Sequence, residues 1–168
     1  RNAAQSLDSL AARLSDGEAA ASADTLRLPT EEVSDLIQRH MNYFPSLEED
    51  AERVWRDARP DEGDMAERLT QYLQLRCGVR VRLEKADAMD RGIRRYDPER
   101  HELTLSEVLR RGSRNFQLAY QIGLLTASDT LDNIASDPGL TSDESRALCR
   151  VALANYFAAA VLMPYDAF

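Results

Sequence analysis

The chain has 168 residues and a formal net charge of −8. That length allows one domain, or one domain with a helical arm, and is enough to bury a core without disulfide or metal staples. The acidic balance argues against a broad basic surface for nucleic acid. Cys77 and Cys149 form no C-x-x-C pair, and with no signal-like N-terminus they read as reduced thiols of a cytoplasmic protein. The apolar run from Val151 to Met163 is too short to span a bilayer and contains Asn155 and Tyr156.

The chain opens on Arg1 rather than Met and stops at Phe168 in mid-pattern, so a fragment of a longer protein is expected. Leu7, Leu10, Ala11 and Leu14 have the spacing of a short amphipathic helix, either a tail without a partner or a connector or dimer seam. Asp16 to Thr25 lacks large apolar residues and reads as a linker. Residues 1–25 are therefore set apart from a domain over 26–168.

Order is expected from Leu26. Pro29 and Thr30 open a helix with Val33, Leu36 and Ile37 inward. Asn42-Tyr-Phe-Pro45 breaks it. Ser46-Leu-Glu-Glu49 has the pattern of a capping box, so a second helix is expected from Leu47, with Ala51, Val54 and Trp55 inward. Tyr43, Phe44 and Trp55 are expected in the core, with Tyr43 or Phe44 lining a ligand cleft as the other reading. A third helix is expected over 64–74. Val79, Val81 and Leu83 then alternate with Arg80 and Arg82, the period of a half-buried strand. Ile93 to Tyr96 and Glu102 to Leu105 flank Asp97-Pro-Glu-Arg-His101, a turn, and make a hairpin. The expected class is α+β, helices packed around a small antiparallel sheet. His101 reads as a solvated turn residue and His40 as a helix-end residue.

Positive charge gathers in this region: residues 76–114 sum to +4, leaving −12 for the remainder. Such a patch suits a compact polyanion such as a pyrophosphate; an ion-paired, solvated sheet face is the other reading. Arg94, Arg95 and Arg114 are the candidate phosphate contacts, because guanidinium makes forked hydrogen bonds to phosphate. Arg114 also falls in the first turn of the next helix, which Ser113 is expected to cap.

That helix organises the rest. Phe116, Ala119, Ile122 and Gly123 make one buried face. Tyr120, Gln121 and Leu124 stand at i, i+1 and i+4, the positions of two histidines and a glutamate in a helical H-E-x-x-H zinc site. Ala127 to Gly139 reads as polar and turn-rich. Thr141-Ser-Asp-Glu144 is a second capping box. It opens a helix to Met163 whose expected inward stripe is Leu148, Val151, Ala152, Asn155, Ala159 and Met163.

Two blocks carry a family resemblance. Phe116-Gln-Leu-Ala-Tyr-Gln-Ile-Gly-Leu124 resembles the F-x-L-A-H-E-[LI]-G-H helix of ImmA/IrrE metallopeptidase-like domains, and Ala154-Asn-Tyr-Phe-Ala-Ala-Ala-Val-Leu-Met-Pro164 resembles the A-N-x-F-A-x-x-L-[LM]-P segment that closes them. Tyr120, Gln121 and Leu124 replace the chemistry. Leucine offers zinc no ligand atom and glutamine cannot act as general base. The third, acidic ligand that the resemblance places before the Ala-Asn pair is absent between Ser145 and Asn155. A degenerate zincin-like fold with no catalytic residue, no metal and no enzyme activity is expected; a residual enzyme with another metal geometry is a further reading.

Asn42-Tyr-Phe-Pro-Ser-Leu-Glu-Glu-Asp-Ala-Glu52 and Met163-Pro-Tyr-Asp-Ala-Phe168 are similar to the short-chain fatty-acyl regulators, the ScfR group of bacterial transcription factors. The resemblance implies an upstream helix-turn-helix, this domain as effector sensor and a downstream cysteine-containing domain. It also implies CoA or short acyl-CoA as effector, DNA contact only through another domain, a cytoplasmic homodimer, and control of methylcitrate-cycle or glyoxylate-bypass genes. The expected ligand-binding set is Arg94, Arg95, Tyr96, Arg114, Phe116, Tyr120, Gln121, Leu124 and Tyr156. The two opposing readings are a collapsed cleft, with Phe116 and Tyr156 as plain core, and a dimerisation scaffold that binds nothing.

Overall fold

The computed structural model describes residues 27–164 apart from 61 and 91. The amphipathic segment and linker expected over 1–25, and the last four residues of the closing motif, lie outside the described residues. Among the described residues six helices and three strands follow in order: α1 (Pro29–Arg39), α2 (Pro45–Ala58), α3 (Met65–Cys77), β1 (Arg80–Glu84), a 3-10 turn (Ala86–Met89), β2 (Arg94–Asp97), β3 (Glu102–Ser106), α4 (Arg111–Thr126), α5 (Ser128–Ala135) and α6 (Asp143–Leu162). The class is α+β, as expected.

Local chemistry accounts for most boundaries. Pro29 and Pro45 each sit in the first turn of their helix, where the missing N–H costs nothing. Asp64 caps α3 by accepting from the Glu67 N–H at 3.1 Å, and Gly78 ends it in the left-handed region at φ 66°. Ser142 caps α6 by accepting from the Ser145 N–H at 3.0 Å. Three expected caps shift. Helix α2 starts at Pro45 with no side-chain cap, so Ser46 lies inside it. The second box caps from Ser142 rather than Thr141. Helix α4 begins two residues before Ser113, with Gly112 inside its first turn.

The sheet order is β1-β3-β2. The β2–β3 hairpin is antiparallel as expected, with Arg94 opposite Leu105 and Tyr96 opposite Leu103. The Asp97 carboxylate holds its turn by accepting from the Glu99 and Arg100 N–H groups at 3.0 and 3.1 Å. The third strand corrects the expectation: β1 pairs with β3 in parallel, so the sheet is mixed. The reason is a crossover. The chain leaves β1, passes over β3 through the 3-10 turn, and returns as the hairpin, so β3 slots into the middle. Met89 is buried in that crossover, and all five residues of β3 are buried on both faces. Leu83, expected inward, is half exposed because β1 is an edge.

Leu103 and Leu105 face the helices and join one core with Leu36, Leu47, Leu69, Leu73, Leu118, Ile122, Leu131, Leu153, Phe157 and Val161. Helix α6 is its axis and packs against α1, α2, α4 and α5. Its buried side chains are Ser145, Cys149, Leu153, Ala154, Phe157, Ala158 and Val161. The expected stripe is thus wrong: Asn155 and Met163 are exposed and the other four are half-buried. A helix surrounded on several sides is apolar nearly all round, and its period then does not single out one face. The stretch expected as turns after α4 contains α5, with Leu131 and Ala135 buried and Ile134 packed beside them. Tyr43 is exposed, while Phe44 is buried and stacks on His40 at 4.8 Å.

Candidate functional site

Helix α4 packs between α6, α3 and the hairpin side of the molecule. Its approach to α6 depends on Gly123: a Cβ there would lie 2.5 Å from Cδ1 of Phe157. The glycine of the helix motif therefore has a packing reason. With that face against α6, Tyr120 and Leu124 are half-buried and Gln121 is 1% exposed.

One side chain from the sheet completes this spot. Arg94 pairs in register with Leu105, so it stands on the helix face of β2. Its Nη2 donates to Gln121 Oε1, and its guanidinium lies 5.0 Å from the centroid of the Tyr120 ring. Burial lowers the Arg94 pKa, and Tyr120 opposes that shift. Arginine titrates so high that the group remains a cation at neutral pH. Its Nε is buried and has no hydrogen-bond partner.

This donor set does not fit zinc. Leu124 has no ligand atom, and the buried carbonyl of Gln121 is already taken by a guanidinium, which would repel a divalent cation. Among the described residues no group of three or more His, Cys, Asp or Glu is placed to hold a metal ion. The side-chain hydrogen bond that Gln121 makes is to a guanidinium, which is no general base. The arrangement can offer a positive charge, an aromatic face and amide hydrogen bonds; it cannot activate water by the family's chemistry.

The other expected site residues divide. Tyr96 shares the helix face with Arg94 and packs on the core. Phe116 and Leu124 also pack on the core from half-buried positions. Arg114 is seven residues, or two turns, before Gln121 on α4, with its Nε buried and unpartnered. Arg95 does not join Arg94. Successive strand residues point to opposite faces, and Arg95 pairs with Thr104 on the far face, exposed. That face is the ion-paired surface weighed from the sequence: Glu102, 8% exposed, sits within 3.3 Å of both Arg80 and Arg82.

Tyr156 is committed elsewhere. Its hydroxyl donates to Glu48 Oε1 at 2.5 Å and accepts from the Phe44 N–H at 3.3 Å. Phe44 meets its ring edge-on at 5.3 Å. Burial, then the Glu48 hydrogen bond, pushes the Tyr156 hydroxyl up to about 12. Tyr156 fastens α6 to the start of α2.

Sequence reasoning missed one buried charge. Glu32 is 3% exposed. It accepts from the Thr141 N–H at 3.0 Å, the Thr141 hydroxyl at 2.6 Å and the Ser145 hydroxyl at 2.5 Å. Burial alone would raise its pKa, but these hydrogen bonds outweigh it and the net shift is downward. Its carboxylate closes the N-terminus of α6. An acid in the first turn of a helix looks like an ordinary solvated residue, so no sequence signal marks it. The two thiols are free, Cys149 buried and Cys77 half-buried. Burial raises both, Cys149 to about 11, which leaves them inert near neutrality.

Comparison with known proteins fits this frame. Residues 74–168 match the IrrE N-terminal-like domain, a peptidase family model. The chain is 38% identical over 156 residues to the HTH-type transcriptional regulator RamB of Mycobacterium tuberculosis, covering 93% of this chain and 32% of that protein. It is 34% identical over 141 residues to the HTH-type transcriptional regulator PrpR of the same species, covering 84% of this chain and 29% of that one. A propionyl-CoA carboxylase regulator of Cereibacter sphaeroides is 28% identical over 152 residues, 87% of this chain and 30% of the relative. A solved Mycobacterium tuberculosis transcriptional regulator superposes with a TM-score of 0.77 at 34% identity, over 83% of this chain and 42% of that one. The chain thus spans under a third of the length of these curated relatives.

Proposed function

The chain belongs to the IrrE N-terminal-like domain family, and on that premise we propose that it is the effector-sensing part of a bacterial transcriptional regulator of short-chain fatty acid metabolism. CoA or a short acyl-CoA binds in the former peptidase cleft between β2 and α4. The observation that carries this reading is Arg94, a half-buried cation held over Tyr120 and Gln121 where the family's helix would present metal chemistry. A cleft that has exchanged a metal for a fixed cation and an aromatic face has lost hydrolysis and kept recognition. The relatives named as transcriptional regulators support the regulatory half of the reading.

Tyr96, Phe116, Tyr120 and Leu124 supply apolar and aromatic walls, Gln121 an amide, and Arg114 a positive charge at the start of α4 for phosphate. Ligand binding shifts the population of arrangements in a cytoplasmic homodimer, which repositions DNA-binding heads on another part of the protein. The contrasting reading is a dimerisation scaffold whose cleft stays empty.

Calorimetric titration with CoA, acetyl-CoA, propionyl-CoA and a longer acyl-CoA tests this. The expected result is a saturable one-site signal that weakens about tenfold or more in Tyr120→Ala and Arg114→Ala, the loss of one charged or stacked contact. Silence across the panel from folded protein leaves the scaffold in front.

A further inference from the structure

Arg94 is half satisfied in a particular way. The Nε–H and one Nη–H of a guanidinium lie parallel on the same edge and together form the fork that takes two oxygens side by side. In this protein Nη2 is filled by Gln121 Oε1, while Nε is buried with no partner. Arg94 Cζ lies over the ring of Tyr120, and Nε shares its edge of the guanidinium with Nη2, the atom that meets the Gln121 oxygen. A buried donor left empty costs free energy, and a charged one more.

We propose that Arg94 reads the acyl end of the ligand: its Nε–H receives an acyl oxygen, a thioester carbonyl or a terminal carboxylate, lying beside the Gln121 carbonyl. This rests on the effector-sensing reading and reassigns Arg94 from phosphate contact to acyl contact. The phosphates then fall to Arg114, two turns up the same helix. Phosphate at Arg94 is disfavoured: the side chain turns inward to α4, and its single charge beside the neutral Gln121 would leave a dianion only half balanced. A neutral carbonyl oxygen needs no charge balance, and a single carboxylate is balanced by Arg94 alone. CoA, which ends in a thiol, lacks that oxygen, so Arg94 gives the cleft a means to tell acylated from free CoA.

The test measures the ratio of dissociation constants for CoA and propionyl-CoA, by calorimetry, on the whole chain. Wild type should favour propionyl-CoA by about tenfold, the worth of one charge-assisted hydrogen bond. The ratio should fall towards one in Arg94→Gln, and also in Arg94→Lys, which keeps the charge and loses the fork. Gln121→Glu, which leaves the arginine in place but fills its edge with an internal carboxylate, should flatten the ratio as well; thermal unfolding shows which variants are folded. Methylmalonyl-CoA separates the two oxygen sources: tighter binding than propionyl-CoA that depends on Arg94 assigns the carboxylate, and equal binding assigns the thioester. A wild-type ratio of one overturns the proposal, as does a ratio that survives Arg94→Gln because both ligands weaken together.

If no CoA species binds, the effector reading fails first. Propionate and succinate at millimolar concentration then decide the inference, read on the Arg94 Nε–H and Gln121 side-chain amide resonances. Saturable shifts lost in Gln121→Glu support it, and unmoved resonances end it.

Discussion

Glu32 and Gly123 show how single residues hold the frame on which the site is built. Glu32 is a carboxylate with three donors and almost no water. Its folded pKa lies below its ordinary 4.5. The stability it contributes is therefore present above about 4.5 and is lost as pH falls through the lower, folded value. Glu32→Gln should cost about 2–3 kcal/mol at neutral pH, the range for hydrogen bonds to a charged group. The same variant should flatten the acid limb of the unfolding free energy against pH, measured by urea titration between neutrality and the acid range. An unchanged acid limb would assign acid sensitivity to other carboxylates. Gly123→Ala pushes a methyl into the Phe157 ring, which is fully buried and cannot swing aside. The expected loss is about 1–3 kcal/mol in denaturant unfolding, and Phe157→Leu in the same chain should return part of it by making room.

Between elements, fasteners and recognition surfaces divide differently from what side-chain type suggests. Tyr156 resembles a ligand-stacking residue but joins α6 to α2 through Glu48 and the Phe44 N–H. Tyr156→Phe should lower stability by about 1–2 kcal/mol, the cost of a lost hydrogen bond and two partners left unmatched. It should leave the acyl-CoA titration within twofold of wild type. A tenfold loss of affinity at unchanged stability would restore Tyr156 to the cleft. The hairpin makes the complementary point. Two adjacent arginines, alike in sequence, are separated by strand alternation into a half-buried cation against α4 and an exposed one on the outer face.

For the molecule as a whole, the helix at the place of the family's metal-binding helix packs on the apolar core and meets the Arg94 guanidinium. Treatment with a chelator should leave the thermal unfolding midpoint unchanged, and purified protein should carry no stoichiometric zinc. A midpoint lowered by several degrees, restored by zinc, would revive a metalloenzyme. Acyl-CoA should instead raise the midpoint in proportion to its affinity, because a ligand that binds only the folded state stabilises it by mass action.

The element types were legible in the sequence wherever one face was buried and the other wet: α1, α2, α3 and the hairpin follow their apolar period and turn residues closely. The two motif blocks also marked α4 and α6 as the heart of the domain, and the residue types at 120, 121 and 124 depart from the ligands and base of a helical H-E-x-x-H site, because ligand chemistry belongs to the side chain. Three things needed the tertiary structure. The parallel pairing of β1 depends on where the crossover runs, and short-range pattern does not contain that. The inward face of α6 depends on how many neighbours surround it. The role of Arg94 depends on which arginine of an adjacent pair the sheet turns towards Gln121, a contact between residues 27 positions apart. Composition, period and motif are local and chemical, so the chain alone carried them; pairing order, packing face and the partner of a buried charge are relations between distant segments, and only the folded core decided those.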